Sequence, residues 1–130
     1  MILSDSIKTG ISMTLYHVVT ESDTANHYGS GHLEVYATPA MISFMEKTSM
    51  EAVQQYLPEG YGTVGTHLNI RHLKPTTVNT SVHCTSELIE RENRRLVFKV
   101  FVSDINGLIG EGTHERFIVE EARFLKKISE

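Results

Sequence analysis

Residues 37–57, ATPAMISFMEKTSMEAVQQYL, decide the fold, because the chain offers one convincing long helix and it is here. Thr38 is suited to cap such a helix, and Pro39 falls at its first position, where a missing N–H costs nothing. At about 100° per residue, Met41, Ile42, Met45, Ala52, Val53 and Tyr56 gather on one side, with Ser43, Lys47, Glu51 and Gln54 opposite. Leu57-Pro58-Glu59-Gly60 ends the run, so the expected helix spans about 39–56.

Outward from the helix the period changes to two. In 64–73, Leu68, Ile70 and His72 share one face and His67, Asn69 and Arg71 the other. Lys74-Pro75 breaks that strand. In 78–91, Val78, Thr80, Val82, Cys84, Ser86 and Leu88 alternate with more polar residues. Glu92-Asn93-Arg94 is a turn, and 95–104 alternates again through Leu96, Phe98, Val100 and Val102. Asn106-Gly107 signals a type I′ hairpin into a last strand, 108–119. Residues 120–128 suit a short terminal helix. Before the long helix, 11–20 is rich in Val, Ile, Thr and Tyr and suits a first strand. The polar stretch 21–33 suits a loop. One helix and five strands with mostly tight connections predict an α+β fold, a five-stranded antiparallel sheet curled around a central helix: the hot-dog arrangement. Val97 and Phe101 on the outer sheet face, or an edge strand, offer a surface for a dimer.

The chain has 130 residues, which suits a single domain over 1–130. A net charge of −4 argues against nucleic-acid and anionic-membrane partners. One cysteine, Cys84, precludes an intrachain disulfide and fits a reducing compartment. No run approaches the roughly 20 apolar residues of a membrane span. The start, MILSDSIKTG, has no leader-like apolar stretch. Together these point to the cytoplasm.

Three residues carry possible chemistry. Glu46 borders the apolar stripe beside Ile42 and Val53, where partial desolvation would favour its neutral form; against this stands a flank residue reaching to water. His72 shares a strand face with Leu68 and Ile70 and is the natural general base near neutral pH. Thr38, beyond capping, stands at a helix N-terminus, where a hydroxyl can meet an acyl group. The glycines of 62–66 allow close approach of backbone N–H groups, and those of 110–112 suggest a bulge. His114, Glu115 and Arg116 read most simply as a solvated strand edge. Seven histidines show no HxH or HExxH, and no phosphate-binding loop or GxSxG elbow is present, so no metal or cofactor is expected.

Four blocks in order, ATPAMISFMEKTSMEA, GYGTVGTHLNIRHLKPT, ELIERENRRLVFKV and IGEGTHERFIV, resemble the fluoroacetyl-CoA thioesterase-like family of hot-dog proteins from about Leu33 to Val119. The resemblance implies an acyl-CoA thioester hydrolase with Thr38, Glu46 and His72 as its catalytic set. It assigns the Gly65 N–H to the thioester carbonyl. It also implies a homodimer, with pairing of dimers possible and the site at the subunit interface. Arg71, Lys74, Arg94 and Arg95 are the candidates for the CoA phosphates. Between Thr20 and Thr38 the chain has two tyrosines and no phenylalanine, so a preference for the fluoroacetyl group is not carried over. The other readings are a hydratase of the same fold and a non-catalytic acyl-CoA binding module.

Overall fold

The computed structural model describes residues 5–130; Met1–Ser4, part of the start read for a leader, lie outside the described residues. Five antiparallel strands form one sheet: β1 (Ser12–Val18), β2 (Tyr61–His72), β3 (Ser81–Glu92), β4 (Arg95–Asp104) and β5 (Gly107–Glu120). Their order is β1-β3-β4-β5-β2, so β1 and β2 are the edges. The stretch read as loop folds into a 3-10 turn (Glu21–Asp23) and a four-residue helix, α1 (Ala25–Tyr28), capped by the Thr24 hydroxyl and closed by Gly29 at φ 74°. The long helix is α2 (Thr38–Gln54), and α3 (Glu121–Ile128) ends the chain. Among the described residues no helix is long and apolar enough to cross a membrane.

α2 lies against the sheet because its stripe is apolar at helical spacing. Ala40, Met41, Phe44, Met45, Ala52 and Val53 are buried against Val82, Cys84, Leu88, Leu96, Phe98, Val100, Val102 and Ile118. Full burial of a side chain such as Met41 or Met45 contributes about 1.5–3 kcal/mol. Phe44 takes the inward place that the wheel gave to Ile42, which is only partly buried. The stripe also contains Thr48 and Ser49, both fully buried. Each returns its hydroxyl proton to the carbonyl four residues back or shares it across the layer: Ser49 Oγ lies 2.8 Å from Ser86 Oγ of β3. Burial of these hydroxyls is tolerated because each is paired.

Two expectations are corrected. The cap of α2 is Ala37, with extended backbone and no side-chain hydrogen bond, so Thr38 is already the first helical residue and Pro39 the second. The Asn106-Gly107 hairpin forms, yet it is not type I′. That turn needs positive φ at both central residues; here Asp104 pairs with Gly107, so Ile105 and Asn106 are central, and neither has it. Asp104 Oδ1 accepts the Asn106 N–H at 2.8 Å and shapes the turn instead. Leu68, on the same strand face as His72, is 42% exposed, because β2 is an edge strand whose middle, Gly65–Asn69, lies open.

Candidate active site

Two backbone staples fix the start of α2. Ala37 N–H donates to the Asp23 carbonyl and Tyr36 N–H to the Thr76 carbonyl, each at 2.8 Å. The end of β2 is fixed likewise by Leu73 N–H on the Ile109 carbonyl, at 2.8 Å. These anchors bring Thr38 and His72 together: Thr38 Oγ1 lies 2.8 Å from His72 Nδ1. Both line a cleft of about 360 Å³ whose walls include Ala25, Val35, Tyr36, Pro39, Leu73 and Pro75. Thr38 is exposed at its mouth. Burial lowers the His72 pKa from the ordinary histidine value, partly offset by the nearby Lys74 backbone. The ring is therefore poised neutral, able to accept a proton. Its Nε2 is buried and has no protein partner among the described residues.

Glu46 does not join this pair within one chain. Eight residues further along α2, it is about 12 Å from Thr38 by helical rise. Its side chain is 40% exposed, at the flank of the helix, and Oε2 lies 3.6 Å from Arg116 Nη1. The carboxylate overhangs Gly65: a Cβ built there would stand 2.8 Å from Glu46 Oε2. Gly65 is open on the β2 edge, beside a bulge between Gly65 and His67 that breaks the pairing with β5. A bulge re-aims the backbone, and a glycine at that point leaves its N–H approachable.

His114 and Arg116, read as a solvated edge, are buried: His114 is fully enclosed and Arg116 is 6% exposed. They share the inward face of β5 with Ile118, and that alternation was the signal available in the sequence. Arg116 is accommodated because its guanidinium is answered on every side. Nε donates to Thr63 Oγ1 at 2.8 Å and Nη2 to the Thr63 carbonyl at 2.9 Å, with Glu46 adjacent. Glu115 stays half-buried, in an ion pair with Arg95.

The basic residues proposed for CoA are dispersed. Lys74 lines the Thr38–His72 cleft and pairs with Asp104 at 3.3 Å. Arg71 is exposed on β2, one residue before His72. Arg94 lies over the Tyr61 ring at 5.9 Å, and Arg95 is held by Glu90 and Glu115. No group of three or more metal-ligating side chains occurs among the described residues.

Comparison with known proteins fits this geometry. Residues 19–122 match the family model described as fluoroacetyl-CoA-specific thioesterase. The fluoroacetyl-CoA thioesterase of Streptantibioticus cattleyicolor is 32% identical, over 97% of this chain and 95% of that protein. A solved structure of the fluoroacetyl-CoA thioesterase FlK superposes with a TM-score of 0.90 at 33% identity, covering 96% of this chain and 97% of that one. A thioesterase superfamily member from Thermus thermophilus gives 0.88 at 26% identity, covering 97% and 93%. The curled five-stranded sheet with its long helix is thus shared with solved hot-dog thioesterase structures, and the chain belongs to the fluoroacetyl-CoA-specific thioesterase family.

Proposed function

We propose that this protein hydrolyses small acyl-CoA thioesters to the free acid and CoA, acting over its whole length as one hot-dog unit and working as a homodimer. The observation that carries this reading is the 2.8 Å contact between Thr38 Oγ1 and His72 Nδ1, a nucleophile beside a base. With the ring proton on Nε2, Nδ1 takes the hydroxyl proton as Oγ1 attacks the thioester carbonyl. The C–S bond breaks, and CoA leaves as a thiolate, which, with a conjugate-acid pKa of about 8.5, takes the proton from the His72 imidazolium and returns the ring to its neutral form. Water then cleaves the acyl-threonine ester with His72 as base. The Gly65 N–H is suited to the oxyanion, and a single such donor is worth roughly 10²–10³ in rate. Glu46, beside Gly65, is suited to orient the attacking water.

A second subunit brings the halves together. Antiparallel pairing of two β2 edges about a two-fold axis near Leu68 sets His72 of one strand opposite Val64 of the other. Gly65, with Glu46 over it, is the neighbouring residue. The site then combines Thr38 and His72 of one subunit with Glu46 and Gly65 of the other. Lys74 and Arg71, beside His72, are the basic residues placed to meet CoA phosphates.

The Streptantibioticus cattleyicolor relative is a fluoroacetyl-CoA thioesterase, and a solved structure of a mutant of FlK, 32% identical to this chain, is a complex with fluoroacetate and CoA. The cleft here takes a small acyl group, with Tyr36 in its wall. The test is CoA release from acetyl-, fluoroacetyl-, propionyl- and benzoyl-CoA, alongside sedimentation of the enzyme. Turnover by a dimer, with acyl-Thr38 trapped on rapid quench, supports the reading. Acyl-CoA binding with no turnover on any substrate overturns it in favour of a binding module.

A further inference from the structure

Beneath Glu46 and Gly65 runs a buried polar chain that the proposed chemistry does not use. His114 Nδ1 lies 2.9 Å from the His67 carbonyl oxygen, and its Nε2 lies 3.1 Å from Arg116 Nη1. A carbonyl only accepts and a guanidinium only donates. Nδ1 therefore carries the proton and Nε2 presents its lone pair, so the ring is neutral in one defined tautomer. Burial lowers the His114 pKa, and the charge of Arg116 lowers it further. The His67 carbonyl, Glu46 and Glu115 oppose both. The ring sits beside Phe98, with centroids 6.5 Å apart, and its partner Arg116 is tied to Thr63 on the other side.

The two bonds of this ring lead to different parts of the site. The His67 carbonyl follows directly on the bulge that exposes Gly65. Arg116 Nη1 reaches Glu46 Oε2 at 3.6 Å. All three side chains meet at Gly65: a Cβ there would stand 2.8 Å from Glu46 Oε2, 3.3 Å from His114 Cε1 and 3.4 Å from Arg116 Nη1.

We propose that His114 is a positioning residue, which through the His67 carbonyl and Arg116 holds the bulged Gly65 segment and the Glu46 carboxylate in fixed relation. The role rests on the thioesterase reading of Glu46 and Gly65, since it is their relative placement that His114 sets. A neutral ring suits the task, because a protonated one would turn a second N–H toward the Arg116 guanidinium and break that bond.

The test uses the full-length enzyme with His114→Phe, which fills the space and makes neither bond, and His114→Gln, whose side-chain oxygen can still accept from Arg116. His114→Phe is expected to lower kcat by at least about tenfold with KM for acyl-CoA changed less than about threefold, as small misplacements in a site do. His114→Gln is expected to recover part of that loss. The Gly65 amide and Arg116 Nε resonances should be displaced in the Phe variant and return toward wild type in Gln. Loss of activity that follows only the folded fraction, or a Phe variant with unchanged kcat, overturns the proposal. Should His114→Phe not fold, the Gln variant and the wild-type ring decide: a ring nitrogen spectrum with the proton on Nε2 at pH 7 is incompatible with it. A wild type without turnover sinks the thioesterase reading, and the displaced or undisplaced Gly65 and Arg116 resonances still judge the positioning.

Discussion

Thr38 and His72, 34 residues apart in sequence, are joined by a 2.8 Å contact between Oγ1 and Nδ1, and the hydroxyl is thereby engaged with the imidazole and not with the helix it begins. Since Ala37 is the cap, removing the Thr38 hydroxyl should leave the helix intact. Thr38→Ala is expected to cut turnover by roughly 10²–10⁴-fold, the usual range for losing such a nucleophile–base interaction. Its stability should change by no more than about 0.5 kcal/mol, against ~1 kcal/mol for loss of a true cap. Parallel kinetics and thermal melts check both; a large drop in melting temperature would return Thr38 to a capping role.

The pH profile follows from His72. Burial holds its pKa below the ordinary value, and the reaction needs the neutral ring. kcat/KM should therefore be level around pH 7 and decline only on the acid side of about 6.5. The same groups bear on stability. His72 and His114 both have lowered pKa values in the fold, so the unfolded chain binds protons first as pH falls. Their contribution is whole above about pH 6.5 and is lost as pH drops through the folded-state values. An acid limb centred above 6.5 would contradict the burial of His72.

Two glycines should fail in different ways. A Cβ at Gly65 meets the end of the flexible Glu46 side chain, which can move aside. Gly65→Ala should fold and lose most of its turnover. A Cβ at Gly112 meets the Asn69 backbone carbonyl, and its φ of 158° disfavours a side chain as well. Gly112→Ala should lose stability, by more than about 1 kcal/mol. Denaturant melts and CoA release on the two variants distinguish them; equal loss of stability in both would undo the distinction.

Cys84 should be silent in the native enzyme. It is fully enclosed between sheet and helix, and burial pushes its thiol up to about 11, moderated by a hydrogen bond with Thr48. A chromogenic disulfide reagent should titrate no thiol at neutral pH and one after denaturation, so CoA release can be followed directly. Rapid native labelling would show that the α2–β3 layer opens.

The sequence by itself determined the long helix, the five strands and the terminal helix, but not the 3-10 turn and α1 within 21–33. A period of 3.6 over the long helix and of two over β3 and β4 dictates which face of each is apolar, and hydrophobic burial does the rest. Resemblance singled out Thr38, Glu46, His72 and Gly65. Only the tertiary structure decided what those residues touch. Thr38 looked like a cap because caps are local, but the backbone staples of Tyr36 and Ala37 start the helix one residue earlier and aim the hydroxyl at β2. Glu46 looked like a lone flank residue because its partner, Arg116, arrives from the neighbour of the edge strand. Arg116 and His114 looked solvated because a charge or an imidazole is buried only when its partners are supplied, and those partners, Thr63, the His67 carbonyl and Glu46, come from other elements. Register and a bulge place them, and neither is written in any local run of residues.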